Sequence, residues 1–355
     1  MIKILFDHSI FLHQKLGGIS RYIVKLNSTL NKKNYFSKIY SPITINDFLI
    51  ASKSNKSYFI YLKKIPLFCT KIFYFINNFL TLVYYFLIKP KLIHISYYNN
   101  FYNYFKIPYI MTVYDLTHEI TDRHTQKFDK KKLLLNSKKI FCISKNTKKD
   151  LMKIYKVKSK KIKVVYLGVE QNIFSKKTKK KYILFVGSRS KYKNFDNLLI
   201  AFSRSQYLKK NYKLIAFGGT KFTSNEIELM KNLNLNKKVI FINGDDNKLK
   251  HYYMNASLFV FPSINEGFGL PILEAMRFGC PVACSNINVF REVAQNSCVY
   301  FKPKNVDNIK NVIERVLKSF SLRKKLTKKG FLQIKKFSWE RCASETHKEY
   351  LKLLN

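Results

Sequence analysis

A chain of 355 residues with 46% hydrophobic and 25% charged residues is long enough for two domains with real cores, and the balance excludes a disordered or fibrous protein. Its 66 Lys and Arg stand against 21 Asp and Glu, a formal charge of +45. That excess suits an anionic partner such as nucleic acid, a membrane surface or a phosphorylated substrate. It equally suits a compositional bias that fills surface positions with Lys, since Asn, Ile, Phe and Tyr are abundant while Gly and Pro are scarce.

In chain order, short apolar runs predict strands at 2–6 (IKILF), 91–95 (KLIHI), 108–113 (PYIMTV), 139–143 (KIFCI) and 162–166 (IKVVY). Further runs follow at 182–187, 213–218, 238–242, 258–261, 281–284 and 298–301, with helical patterns at 195–206, 224–233, 247–256 and 305–320. Repeated β–α alternation predicts parallel sheets covered by helices on both faces. The N-terminal apolar run is too short for a signal peptide and reads as a first strand, so a cytoplasmic protein is expected. The six cysteines include no CxxC pair, which favours buried thiols over a disulfide framework or a metal site. Residues 67–88 (LFCTKIFYFINNFLTLVYYFLI) approach the length of a membrane span, but Lys71, Asn77 and Asn78 interrupt them. A core helix, an interfacial helix and a span all remain open.

The segment 175–181 (SKKTKKK) reads as a solvated linker, giving an N-terminal domain at 1–174, a C-terminal domain at 182–337 and a closing helix at 338–355. Three stretches after strands carry chemistry. In 17–22 (GGISRY), Gly17 and Gly18 allow close backbone approach to a ligand or simply form a tight turn. No GxGxxG is present. In 186–194 (VGSRSKYKN), Arg189 and Lys193 offer a guanidinium fork and an ammonium for a diphosphate. In 265–276 (NEGFGLPILEAM), Gly267 and Gly269 let the backbone fold around an anion, and Pro271 opens a helix without wasting a donor. Glu266 and Glu274 would repel a phosphate, but ionised carboxylates suit the hydroxyls of a ribose or a sugar. For Glu274 the plain alternative is a first-turn acid favoured by the helix dipole. Asp245-Asp246 reads as a loop, not as a metal-binding pair.

The run PSINEGFGLPILEAMRFGCPVACSN resembles the E-x7-E signature of the GT4-type retaining glycosyltransferases of the GT-B fold, and particularly members of polysaccharide and O-antigen pathways. The likeness extends to VGSRSKYKN, to 162–174, to the N-terminal DHSIFLHQKLGGISRY, to 113–119 (VYDLTHE) and to the closing FSWERCA. It implies two Rossmann-like domains facing each other across a deep cleft, with the C-terminal helix returning to the N-terminal domain. By resemblance, Arg189 and Lys193 hold the donor diphosphate, Glu274 the ribose and Glu266 the transferred sugar. The backbone at Gly267, Phe268, Gly269 and Leu270 lies along the phosphates and sugar, with Gly17 and Gly18 near the donor. Tyr114, Asp115 and His118 fall on the acceptor side, Tyr114 standing where relatives often carry His, and His118 lies in the stretch that approaches the reacting sugar, a catalytic candidate with Glu266, Arg189 and Lys193. The resemblance implies hexose transfer from a GDP- or UDP-linked sugar, mannose-like by preference, to a saccharide or lipid-linked acceptor. It implies neither metal nor other cofactor, peripheral contact with the anionic inner face of a membrane, and no nucleic-acid partner. The alternatives are a nucleotide-sugar epimerase of the same fold and a basic protein that binds nucleic acid or membrane.

Overall fold

The computed structural model describes residues 4–52, 60–104, 107–121, 127–175 and 179–354. The chain divides into two units, 1–168 with 339–355, and 169–338. The first unit holds β1 (Ile4–Phe6), β2 (Ser37–Ile39), β3 (Ile43–Thr44), β4 (Ile60–Tyr61), β5 (Leu92–Ile95), β6 (Tyr109–Val113), β7 (Lys139–Cys142) and β8 (Ile162–Val164). The second holds β9 (Lys180–Val186), β10 (Lys213–Phe217), β11 (Val239–Ile242), β12 (Ala256–Phe261), β13 (Val282–Ser285) and β14 (Val299–Phe301).

Each unit carries a six-stranded sheet in which every pairing is parallel, ordered β2-β1-β5-β6-β7-β8 and β11-β10-β9-β12-β13-β14. These are doubly wound, Rossmann-like sheets. Strands such as β6 and β12 are buried along their whole length, as a parallel sheet covered on both faces requires. Strand order reverses at β1/β5 in the first sheet and at β9/β12 in the second. Open α/β sheets bind ligands at such reversals, beyond the carboxyl ends of the strands.

The boundary between the units differs from the expected one. It falls after Gly168, because Val169 already donates to Phe337 O (2.9 Å) and pairs with Ser338 in the second unit. Nor is 175–181 a separate linker. Lys180 already pairs with Ala256 as the first residue of β9, and Lys179 donates to Met254 O (2.7 Å); residues 176–178 lie outside the described residues. Strands β2, β3 and β4 were not anticipated, since two- and three-residue strands carry too few alternations to show a period.

The helix Trp339–Leu354 belongs to the first unit. Its Tyr350 hydroxyl lies 2.6 Å from Nδ1 of the buried His94 on β5, whose Nε2 meets the Thr112 hydroxyl at 2.8 Å. His347 stacks on Tyr35 with ring centroids 3.6 Å apart. Burial holds His94 neutral, its pKa pushed down to about 3.

The helix Thr70–Ile88 settles the three readings of 67–88 against a core helix, because its apolar side faces outward. Its polar residues bind the domain alongside Leu80, Leu82, Tyr84 and Tyr85, which pack on the core of the first unit. Asn77 accepts from Ile43 N and donates to Ile43 O, both at 2.9 Å, and the Thr81 hydroxyl lies 3.1 Å from His8 Nδ1. Asn78 accepts from Asn99 (2.9 Å), the Tyr74 hydroxyl donates to Ser9 O (3.2 Å), and Tyr84 stacks on Tyr40.

Because the folded pKa of His94 lies below the unfolded value of 6.5, its contribution is intact above pH 6.5 and is lost as pH falls toward 3. The stability advantage of the wild type over a His94→Gln variant should therefore shrink by about 1.4 kcal/mol per pH unit over that window. Urea unfolding of both proteins at several pH values measures it; a constant difference would show that His94 does not titrate this way.

Candidate donor site at the second sheet reversal

The loops after β9 and β12, the two strands that flank the reversal in the second unit, are tied by several bonds. Ile264 N donates to Tyr192 O (2.7 Å). Asn194, in the left-handed conformation at φ 60°, donates to Pro262 O (3.1 Å) and Pro303 O (2.7 Å), so one carboxamide joins the ends of three strands. Lys193 then reaches across to Glu266, with Nζ 2.6 Å from Oε1. Both side chains are half-buried, and the ammonium also lies 5.3 Å from the centre of the Phe261 ring.

From Glu266 the backbone passes through Gly267 and Phe268 to Gly269, whose φ of +102° only glycine adopts without strain. Gly269 caps the helix Leu270–Arg277, with Pro271 in its first turn. Ile272 N donates to Gly269 O (3.0 Å) and Pro271 has no N–H, while the dipole adds partial positive charge at this terminus. The Phe268 side chain is buried edge-to-face against Phe337. Glu274 lies on the same helix one turn on and accepts from the Tyr253 hydroxyl at 3.4 Å, placing a second carboxylate close to the loop. Thus Lys193 and Glu266 meet at the 267–270 turn, and Glu274 lies further along the helix that the turn opens.

Arg189 does not join them as a diphosphate clamp. Its side chain is only 3% exposed, and its donors are committed to protein acceptors. Nε bonds Glu226 at 2.7 Å, one terminal nitrogen bonds Gly218 O at 3.1 Å, and the other bonds Thr220 O and Lys221 O. The guanidinium is walled by the rings of Phe195, Phe222 and Phe241. Arg189 therefore staples the loop after β9 to the loop after β10. The turn Gly218-Gly219 in that second loop was not singled out from sequence. A Cβ on Gly219 would press on Ser188 Cα at 3.2 Å, so glycine permits the close approach of the two loops. The signal was present as FGG at the end of a strand. Asp245 likewise has a structural task, capping the helix Asp246–Asn255 through Lys248 N.

In the first unit, Gly17 opens the helix Gly18–Lys32 in extended conformation, and the Gln14 side chain folds over it to accept from Ser20 N (3.3 Å). Gly18 faces open space. Tyr114 is corrected from an acceptor-side residue to a brace: it is buried, donates to Ser96 O (3.0 Å) and packs edge-on against Tyr22. Asp115 accepts from Thr117 N (3.0 Å) and so opens the helix Thr117–Thr121. His118 lies on that helix, with its side chain outside the described residues.

Residues 16–172 match the model described as Glycosyltransferase Family 4, and residues 169–333 match Glycosyl transferases group 1. The chain belongs to this family of GT-B glycosyltransferases. It is 33% identical over 190 residues to the O-antigen chain mannosyltransferase RfbU of Salmonella typhimurium, covering 50% of this chain and 53% of that protein. It is 44% identical over 105 residues to the O-antigen chain mannosyltransferase B of Escherichia coli, covering 30% of this chain and 28% of that one. The matched segments thus span about a quarter to a half of these two relatives. Among solved structures, Anabaena HepE in complex with UDP and glucose superposes with a TM-score of 0.78 at 13% identity, over 98% of this chain and 99% of that one. Sucrose-phosphate synthase from Thermosynechococcus elongatus gives 0.76 at 18% identity, over 99% and 98%.

Replacing Arg189 by Ala leaves Glu226 without its buried cation and should lower unfolding stability by about 3 kcal/mol or more. A urea midpoint within error of the wild type would show that the staple carries no stability.

Proposed function

We propose that the protein is a retaining hexosyltransferase. It moves a mannose-like sugar from a GDP- or UDP-linked donor to a saccharide or lipid-linked saccharide during cell-surface polysaccharide synthesis. The observation that carries the reading is the Lys193–Glu266 pair, 2.6 Å apart across the sheet reversal beside a left-handed glycine turn and a helix N-terminus. It supplies, within one turn, positive charge for a diphosphate and a carboxylate for sugar hydroxyls. The preference for mannose draws on the O-antigen mannosyltransferase names of the relatives.

Lys193 and Glu266 form an ion pair, Nζ 2.6 Å from Oε1. An incoming diphosphate competes for the ammonium, and Glu266 is released to accept from a sugar hydroxyl, so donor binding assembles the site. Glu274, held by Tyr253, takes the ribose hydroxyls. The C1–O bond to the phosphate breaks with its electron pair on the diphosphate, whose growing charge Lys193 and the amides around Gly269 stabilise. The acceptor hydroxyl bonds C1 on the same face and passes its proton to a phosphate oxygen, which retains the anomeric configuration without a protein nucleophile. Acceptor recognition falls to the first unit, with Asp115 and His118 as its candidate residues, while Gly17 and Gly18 stay candidates for the donor. The reaction needs no metal, because cationic and dipolar groups already face the leaving group. It takes place on the cytoplasmic side, at the membrane where a lipid-linked acceptor resides.

Lys193→Ala should cut turnover about 100-fold, the usual effect of losing one preorganised donor to a leaving-group charge. Wild-type turnover in that variant would remove Lys193 from the chemistry. Nucleoside diphosphate should be released only when a saccharide acceptor is present; release without one, or sugar isomerisation, would favour the epimerase reading. Activity in excess EDTA should equal that without chelator, and a loss restored by manganese or magnesium would show that the diphosphate needs a metal.

A further inference from the structure

The helix Thr70–Ile88 is built inside out. Its polar residues Tyr74, Asn77, Asn78, Thr81 and Tyr84 follow a three- and four-residue spacing and are spent on the domain. The opposite face presents Ile72, Phe75, Phe79, Val83, Phe86 and Leu87, all exposed, with Phe75 at 73% and Leu87 at 75%. Phe68, 82% exposed, extends the row by one turn. At 1.5 Å per residue, this is an apolar ridge roughly 28 Å long. Such a ridge is far more than the scattered apolar residues of an ordinary surface, and it marks an interaction face.

The charge around it selects the occupant. From residue 48 to residue 114 the chain contains no Asp or Glu. Exposed lysines frame both ends of the ridge, with Lys63, Lys64 and Lys71 before or at its start and Lys89 and Lys91 after it. A second copy would set these lysine frames against each other. A bilayer with anionic headgroups meets the ammonium groups with opposite charge while accepting the phenylalanines between acyl chains. A span is excluded by the same polar bonds: lifting the helix into the bilayer would strip Asn77 from Ile43 and Thr81 from His8, leaving those groups unpaired in hydrocarbon.

We infer that the outer face of the helix Thr70–Ile88 is a monotopic membrane anchor, lying in the plane of an anionic bilayer with its phenylalanines inserted and its terminal lysines on the headgroups. This deepens the lipid-linked acceptor reading, giving the enzyme a means of reaching its acceptor, but it stands on the ridge and the lysines alone.

The test is co-sedimentation of the full chain with phosphatidylcholine vesicles, with and without about a third phosphatidylglycerol, at low and high salt. The expected result is strong binding to the anionic vesicles, weak binding to the neutral ones, and release by salt or carbonate. The double variant Phe75→Ser, Phe79→Ser should lose about a hundredfold in partitioning. Lys63→Glu with Lys64→Glu should weaken binding to anionic vesicles only. Phe320→Ser, which removes an exposed phenylalanine from the second unit, should change nothing. Circular dichroism checks that each variant folds. Absence of vesicle binding would overturn the proposal, as would resistance to carbonate extraction, or a dimer that the double variant dissociates in solution. Transfer to a soluble acceptor is assayed alongside. Vesicle binding without transfer to any lipid-linked acceptor would sink the acceptor reading and leave the anchor standing; transfer to one without vesicle binding would do the reverse.

Discussion

The buried guanidinium of Arg189 fixes the geometry on which the donor site rests. A planar fork with five N–H groups can satisfy a carboxylate and several carbonyls at once, and here it takes Glu226 together with the carbonyls of Gly218, Thr220 and Lys221. These acceptors belong to the loop after β10 and to the helix that follows it, while Arg189 itself belongs to the loop after β9. The aromatic wall of Phe195, Phe222 and Phe241 keeps water from competing. Lys193 stands four residues further along the same loop, and Asn194 beside it locks the ends of β12 and β14. A short, charged, half-buried contact such as Lys193–Glu266 needs that rigidity, since a lysine side chain left to itself samples many rotamers.

The two sheet reversals are built differently. At β1/β5 the buried Asp7 accepts from the amide and hydroxyl of Ser96, both at 2.6 Å, and from the Ser9 hydroxyl. Burial pushes its pKa up, against those hydrogen bonds, which lower it. The Tyr114 hydroxyl closes on Ser96 O from the next strand. That reversal is knitted shut by neutral donors. At β9/β12 the corresponding place holds an ammonium, a carboxylate and a helix terminus, all within reach of solvent. The same topology thus yields one end braced by neutral groups and one end that carries an ion pair beside a helix terminus, and the difference lies in a handful of side chains.

Much of this was legible in the sequence. The strand runs and their β–α alternation gave eleven of the strands, because fully buried parallel strands are continuous apolar runs that no surface demand interrupts. The turn at 266–274 was legible because Glu266, two glycines, Pro271 and Glu274 combine backbone freedom, helix initiation and acceptor groups in nine residues. The staple made by Arg189 was not legible for a physical reason: sequence places it after a strand but does not say which way its long side chain turns, and its acceptors at Gly218 and Glu226 lie 29 and 37 positions away. Gly218-Gly219 escaped notice because a close approach is visible only when the partner loop is known. The unit boundary was displaced because a lysine-rich stretch looks solvated even where, as at Lys180, it begins a strand.

The helix Thr70–Ile88 shows the same limit most clearly. Asn77, Asn78 and Thr81 look like interruptions in an apolar run, and hydrophobic periodicity alone would bury the opposite side. Their partners, Ile43, Asn99 and His8, are separated from them by 21 to 73 positions. Buried amides and hydroxyls that are fully paired hold a helix in a unique orientation, whereas an apolar face would slide and rotate at little cost. An outward apolar face is therefore stable only because the polar face is fastened first. The fold accepts the exposure of six large apolar side chains along one ridge, and that cost is recovered only where the ridge meets something other than water.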